Sequence, residues 1–130
     1  MPYIEHLAIW VKDLEKMKQF YTRYFSAVAN EKYYNPSKQF SSYFLSFAGD
    51  CRLEIMHMPS VTENKNSIEP QSRGLIHFAI SVGSEEKVNA LTEQLRQDGY
   101  TILGNPRRTG DGYYESVILD PESNRIEITV

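Results

Sequence analysis

The chain has little with which to cross-link or anchor itself. Its 130 residues include one cysteine, Cys51, so no internal disulfide can form and a reducing, cytoplasmic setting is expected. No stretch approaches the roughly eighteen apolar residues of a membrane helix, and Met1-Pro2-Tyr3-Ile4-Glu5 lacks the basic and apolar regions of a signal peptide. A soluble, unexported protein without a membrane partner is expected. Charge of one sign is also scarce: 14 Lys and Arg stand against 17 Asp and Glu, a formal net charge of −3. The cationic residues are scattered, so no basic stripe for nucleic acid exists. Three common catalytic signatures are missing: a glycine-rich phosphate loop, a Cys-x-x-Cys pair and a Gly-x-Ser-x-Gly elbow. Cys51, beside the turn signal Gly49-Asp50, reads as a small strand residue and not as a nucleophile.

What is present is a core and a repeat. A hydrophobic fraction of 41% over this length suffices for one domain, residues 1–130, with no structural metal required. Arg52-Leu53-Glu54-Ile55 reads like Arg125-Ile126-Glu127-Ile128, and Ile4-Glu5-His6-Leu7-Ala8-Ile9 like Leu75-Ile76-His77-Phe78-Ala79-Ile80. One unit is thus written twice, each copy opening on a histidine strand and closing on a glutamate strand. A repeat of this length occurring twice points to duplication of a half-domain, not to a solenoid.

In the first copy, about 3–58, a strand at 3–11 places Leu7, Ile9 and Val11 on one face and Ile4, His6, Ala8 and Trp10 on the other. Asp13 caps a helix whose apolar positions Leu14, Met17, Tyr21, Tyr24, Phe25 and Val28 recur at helical spacing. Strands near 31–35, 40–48 and 51–58 follow, separated by Asn35-Pro36 and Gly49-Asp50. Residues 59–73 are polar, bounded by prolines and without period, and read as a linker. Extended, it spans roughly 50 Å at ~3.3 Å per residue, enough for the copies to pair within one chain or exchange between two.

The second copy, about 74–130, starts with a strand at 74–82. Ser84 caps a helix buried through Val88, Leu91 and Leu95 and stopped by Gly99; Glu85 and Glu86 suit its first turn. Strands near 100–104, 113–120 and 125–130 complete it, with Gly110-Asp111-Gly112 as a turn. Tyr33-Tyr34 and Tyr113-Tyr114 fall in strand segments, where aromatics serve as packing residues. Arg107-Arg108 reads as a solvated loop pair or as an anchor for an anionic part of a ligand.

Strand alternation makes a specific statement about four residues. His6, Glu54, His77 and Glu127 are flanked by Glu5/Leu7, Leu53/Ile55, Ile76/Phe78 and Ile126/Ile128. If the flanking residues pack on helices, the four emerge together on the opposite, concave face. A single His or Glu on a strand is more often a hydrogen-bonded or solvated residue than a ligand. Here both types return at equivalent places: His6 to His77 is 71 positions and Glu54 to Glu127 is 73, a difference that one loop indel explains. Two imidazoles and two carboxylates suit a divalent first-row metal, and metal binding accounts for all four at once. His57 has the opposite parity and no counterpart in the second copy, so a structural role is expected for it.

These segments resemble the vicinal oxygen chelate superfamily, the glyoxalase/bleomycin-resistance/dioxygenase group. The resemblance rests on Ile4 to Ile9, on Val11-Lys12-Asp13-Leu14 leading to Phe20 through Phe25, on Gly74 to Val82, and on Leu119-Asp120-Pro121-Glu122-Ser123-Asn124-Arg125-Ile126-Glu127-Ile128. It implies an α+β fold of two tandem βαβββ modules, a curved mixed sheet around a metal cavity with the helices outside. It also implies a homodimer. The ligand order His6, Glu54, His77, Glu127 is similar to that of bacterial glyoxalase I, a lactoylglutathione lyase. Ser123 stands where the family often has glycine, and Asn124 is expected to tolerate the left-handed turn instead. Trp10 and Met58 replace an Arg and an Asn that help hold the glutathione carboxylate in that family, so they are expected to line an apolar substrate pocket.

The resulting expectation is a lyase or isomerase acting on a small substrate with vicinal oxygens. A bound nickel, zinc, cobalt, manganese or iron ion would stabilise an enediolate-like intermediate while Glu127 or Glu54 moves a proton between adjacent carbons. Two alternatives remain: a metal-free protein of the same fold that binds a small molecule or antibiotic, and a metal-dependent dioxygenase or thiol transferase.

Overall fold

A computed structural model describes residues 1–63, 68 and 71–130. The chain divides into two compact units, residues 1–64 and 65–130. Part of the stretch read as a linker, residues 64–67, 69 and 70, lies outside the described residues.

The first unit runs β1 (His6–Trp10), α1 (Leu14–Phe25), β2 (Val28–Ala29), β3 (Tyr33–Asn35), β4 (Phe40–Ser46) and β5 (Arg52–His57). Its sheet has the order β1-β5-β4-β2, with β3 also on β4. β1 and β5 are parallel, and the other pairs are antiparallel. The Asp13 side chain accepts from the Lys16 amide at 3.0 Å and so starts α1 as expected. Met17 and Tyr21 are fully buried and Phe20 nearly so, on a helix that packs against β4 and β5. Leu45, Leu53 and Ile55 fill the core from the sheet side.

Val28 departs from the helical expectation. α1 ends at Phe25, and Ser26 takes a left-handed φ of 55°. The Ala27 amide then returns to the Tyr21 carbonyl at 3.2 Å, as a left-handed cap requires. No glycine marks that stop, which is why spacing alone carries the helix too far. Val28 opens β2 and is exposed. The first unit therefore has two short pieces, β2 and β3, pairing with β4 where one strand was expected.

The second unit runs β6 (His77–Ser81), α2 (Glu85–Gln97), β7 (Ile102–Arg108), β8 (Tyr114–Leu119) and β9 (Arg125–Thr129), with sheet order β6-β9-β8-β7. Only β6 and β9 pair in parallel. Ser84 caps α2 by accepting from the Lys87 amide at 3.2 Å, and Gly99 at φ 93° follows its end. α2 lies on β7, β8 and β9. Val88, Leu95, Ile118, Ile126 and Ile128 are fully buried, each side chain of this kind contributing about 1.5–3 kcal/mol on leaving water. Leu91 is only half-buried, and Thr92 replaces it in the core. The Thr92 hydroxyl is satisfied there by the Val88 carbonyl at 2.6 Å and the Ser116 hydroxyl at 2.7 Å.

Both units are α+β, each with one helix on a mixed sheet, and together they form the expected pair of modules. Arg107 and Arg108 lie in β7, not in a loop. Tyr33, Tyr34 and Tyr113 are exposed, Tyr33 with its ring centroid 6.0 Å from that of Phe40. At the turn before β9 the left-handed residue is Ser123 itself, at φ 66°. Asn124 is occupied otherwise: its amide and side chain bond to the Asp120 carboxylate at 2.9 Å each.

Candidate functional site

The four repeated residues fall into two pairs, one in each unit, built by the same ladder. In the first, β1 and β5 run parallel with His6 opposite Arg52 and Ala8 opposite Glu54. In the second, β6 and β9 run parallel with His77 opposite Arg125 and Ala79 opposite Glu127. Cross-strand partners share a face, so each histidine lies one step along the ladder from its glutamate on the same side of the sheet. Leu53 and Ile55, like Ile126 and Ile128, are buried on the other side. Alternation therefore sends Glu54 and Glu127 away from the helices, as expected.

The pairs are close enough to interact. His6 Nε2 stands 3.7 Å from Glu54 Oε1, and His77 Nε2 stands 3.2 Å from Glu127 Oε1. The carboxylates are the recessed members, their side chains 16% and 23% exposed against 40% and 38% for the two histidines. An acceptor-only carboxylate in partial burial needs a positive or donating partner. Among the described residues no three His, Cys, Asp or Glu side chains gather to hold a metal. The repeated pair in each unit is one imidazole and one carboxylate.

The surroundings of the pairs differ. In the first unit the Glu5 carboxylate meets His6 Nδ1 on one side and the Arg52 guanidinium on the other, accepting from Arg52 Nε at 2.8 Å. The His6 hydrogen bond, followed by that of Arg52, holds the Glu5 carboxyl below its usual range. Arg52 also lies over the Phe44 ring at 4.1 Å, and that ring meets His6 edge-on at 5.3 Å. In the second unit Ile76 takes the place of Glu5, and Arg125 donates to the Ile68 carbonyl at 3.1 Å.

Glu115 on β8 is the second unit's own addition. It is paired with Thr129, two residues from Glu127, and so shares the glutamate's face. Its Oε2 is buried without a hydrogen-bond partner among the described residues. Burial first, then a hydrogen bond to Glu127 and the like charges of Glu127 and Asp111, push the Glu115 carboxyl above its usual range, with His77 opposing. The equivalent position in the first unit is Ser42. Sequence comparison of the copies therefore passes over both Glu5 and Glu115, since neither repeats. The mismatches Glu5/Ile76 and Ser42/Glu115 were the only signals available.

Trp10 lies on the His6 face, opposite Met56 in the ladder, and is half-exposed with its ring edge-on to Phe40 at 6.0 Å. Met58 follows the end of β5 and is half-buried. Its carbonyl accepts from the Val61 amide at 3.1 Å in a turn, so its direction is not fixed by the strand. His57 takes the structural part expected of it, with Nδ1 3.0 Å from the Val11 carbonyl. Cys51 is exposed just before β5. Among the described residues no helix is long and apolar enough to cross a membrane.

Known proteins carry the same plan. The Bacillus subtilis (strain 168) protein YwkD, itself uncharacterized, is 28% identical over 96% of this chain and 94% of its own length. Glutathione transferase FosA of Serratia marcescens is 25% identical over 98% of this chain and 79% of its own. Among solved structures, the trypanothione-dependent glyoxalase I of Leishmania major superposes with a TM-score of 0.75 at 22% identity, covering 99% of this chain and 86% of that one. The superfamily profile itself matches residues 3–128. With the match spanning both units and all four repeated residues, the chain belongs to the glyoxalase/bleomycin resistance protein/dioxygenase superfamily.

Proposed function

We propose that this protein is a metal-dependent isomerase or lyase of the glyoxalase type, acting on a small substrate with vicinal oxygens. The observation that carries the reading is the repetition, in identical ladder register, of a histidine Nε2 facing a recessed glutamate oxygen in both units. The resemblance implies that four such donors, drawn from one chain or from two chains of a homodimer, make up one set for a divalent cation. Nitrogen and carboxylate donors suit nickel, zinc, cobalt, manganese and iron alike. A cation would also stabilise the recessed carboxylates of Glu54 and Glu127.

When bound, the metal supplies Lewis-acid polarisation of the substrate's two oxygens. The chain's own contribution is to hold and move the proton. Glu127 or Glu54 takes it from one carbon and returns it to the next, with positioned transfer of this kind contributing about 10² to 10⁴-fold. Trp10 and Met58 are apolar where the resemblance expects an Arg and an Asn for a glutathione carboxylate, so the preferred substrate lacks glutathione. A cytoplasmic location is consistent with the exposed, unpaired Cys51.

Elemental analysis and calorimetric titration with each metal, followed by proton NMR of carbon-bound hydrogen exchange in D₂O over a panel of α-hydroxycarbonyl compounds, test the proposal. Roughly one metal per four-donor set and exchange that depends on it are expected. A chain that binds no metal sinks the proposal and favours a metal-free binding protein of the same fold. Thiol transfer is the second reading, supported by the similarity to the glutathione transferase from Serratia. Metal-dependent consumption of thiol without C–H exchange would favour it.

A further inference from the structure

Glu5 is neither repeated nor placed on the face of the four donors by alternation, yet it is tied to His6 from two directions. Its carbonyl accepts from the Arg52 amide at 2.9 Å, which extends the β1–β5 ladder one residue beyond the strand. Its carboxylate spans His6 Nδ1 and the Arg52 guanidinium. Arg52 in turn covers Phe44, whose ring abuts His6. The imidazole, 40% exposed, is thus held by a chain of contacts, Glu5 to Arg52 to Phe44, all within one unit.

A carboxylate at Nδ1 accepts a hydrogen bond, so the proton of the neutral imidazole belongs on Nδ1 and the lone pair on Nε2. Nε2 is the nitrogen that faces Glu54. We infer that Glu5 is a positioning residue that fixes the tautomer and orientation of His6, so that Nε2 presents its lone pair to a cation. The inference rests on the reading of His6 as a metal ligand. The second copy supplies an internal control, because Ile76 cannot accept a hydrogen bond and Arg125 is engaged at Ile68. The two histidines are therefore unequal, and His6 is the one prepared in advance.

The experiment uses the full chain, metal-free, with ¹⁵N-labelled histidine. In the wild type His6 reads as the Nδ1–H tautomer. Glu5→Gln keeps it, since the amide oxygen still accepts, whereas Glu5→Ile shifts His6 toward the Nε2–H form favoured in water. Zinc titration of the same proteins reads the consequence: affinity falls about 10 to 100-fold in Glu5→Ile, as for loss of an outer hydrogen bond to a ligating histidine, and Glu5→Gln restores most of it. A wild-type His6 in the Nε2–H form, or a Glu5→Ile protein with unchanged tautomer and zinc affinity, overturns the inference. If the tautomer responds as expected but the wild type takes up no metal, Glu5 still positions His6 and the metal reading alone fails.

Discussion

Replacing Glu127 by glutamine changes one atom and one charge at the centre of the second pair. The backbone has no reason to move: Ile126 and Ile128 remain fully buried against the helix side, and the surviving amide oxygen can still face His77 Nε2, where the carboxylate stands at 3.2 Å. The loss is chemical. An amide has no useful basicity, so removal of a positioned base lowers turnover by about 10² to 10⁴-fold, or about 2.7–5.4 kcal/mol in the barrier at 1.36 kcal/mol per tenfold. The substitution also removes the like charge that pushes up Glu115, so the metal-free variant should melt no lower than the wild type at neutral pH. Turnover is read by C–H exchange in D₂O and metal content by elemental analysis on the same sample. A variant that keeps its metal and its full rate refutes the role of Glu127. Loss of rate in Glu54→Gln but not in Glu127→Gln moves the role to Glu54, and full rate in both removes proton transfer by either glutamate.

Glu115 gives the metal-free protein a pH dependence. Its folded pKa lies above the ordinary 4.5, so its stabilising contribution is complete below that value and is lost as pH rises through the raised one. Urea unfolding should show stability declining across that window, and Glu115→Gln, which cannot ionise, should flatten the decline. Ser123→Gly at the left-handed position before β9 should raise stability by about 0.5 kcal/mol, the relief of a left-handed side chain less the entropy of glycine; a fall in the urea midpoint would contradict the assigned φ of 66°. Ile128→Val should cost about 0.5–1.5 kcal/mol in the same assay while leaving metal affinity within twofold, since Ile128 faces away from Glu127. Trp10→Arg, which restores a cation for a glutathione carboxylate, should improve turnover of glutathione-derived substrates relative to others, and an unchanged preference would show that Trp10 does not set it.

Much of the plan was legible because the chain repeats itself. Two copies of Arg-x-Glu-Ile and of a histidine strand imply two equivalent sheets, and alternation decides which side of each strand the histidine and glutamate take. The helix starts were legible for the same local reason: Asp13 and Ser84 each precede a helical apolar pattern and accept from the amide three residues on. The end of α1 was not, because Ser26 adopts by context a conformation that sequence assigns to glycine, and Val28 consequently leaves the helix for a strand.

The sequence by itself determined the duplication, the fold family and the faces on which His6, Glu54, His77 and Glu127 emerge. These follow from period-two alternation and from residues that recur, both of which are one-dimensional. Only the tertiary structure decided what stands beside them. Glu5 reaches Arg52 across 47 positions of sequence, and Glu115 meets Glu127 because an antiparallel ladder sets β8 beside β9. Neither residue recurs in the other copy, and no local pattern distinguishes them from any solvated glutamate. Their partners are chosen by strand pairing, which is why the two His–Glu pairs share a register and differ in their electrostatics.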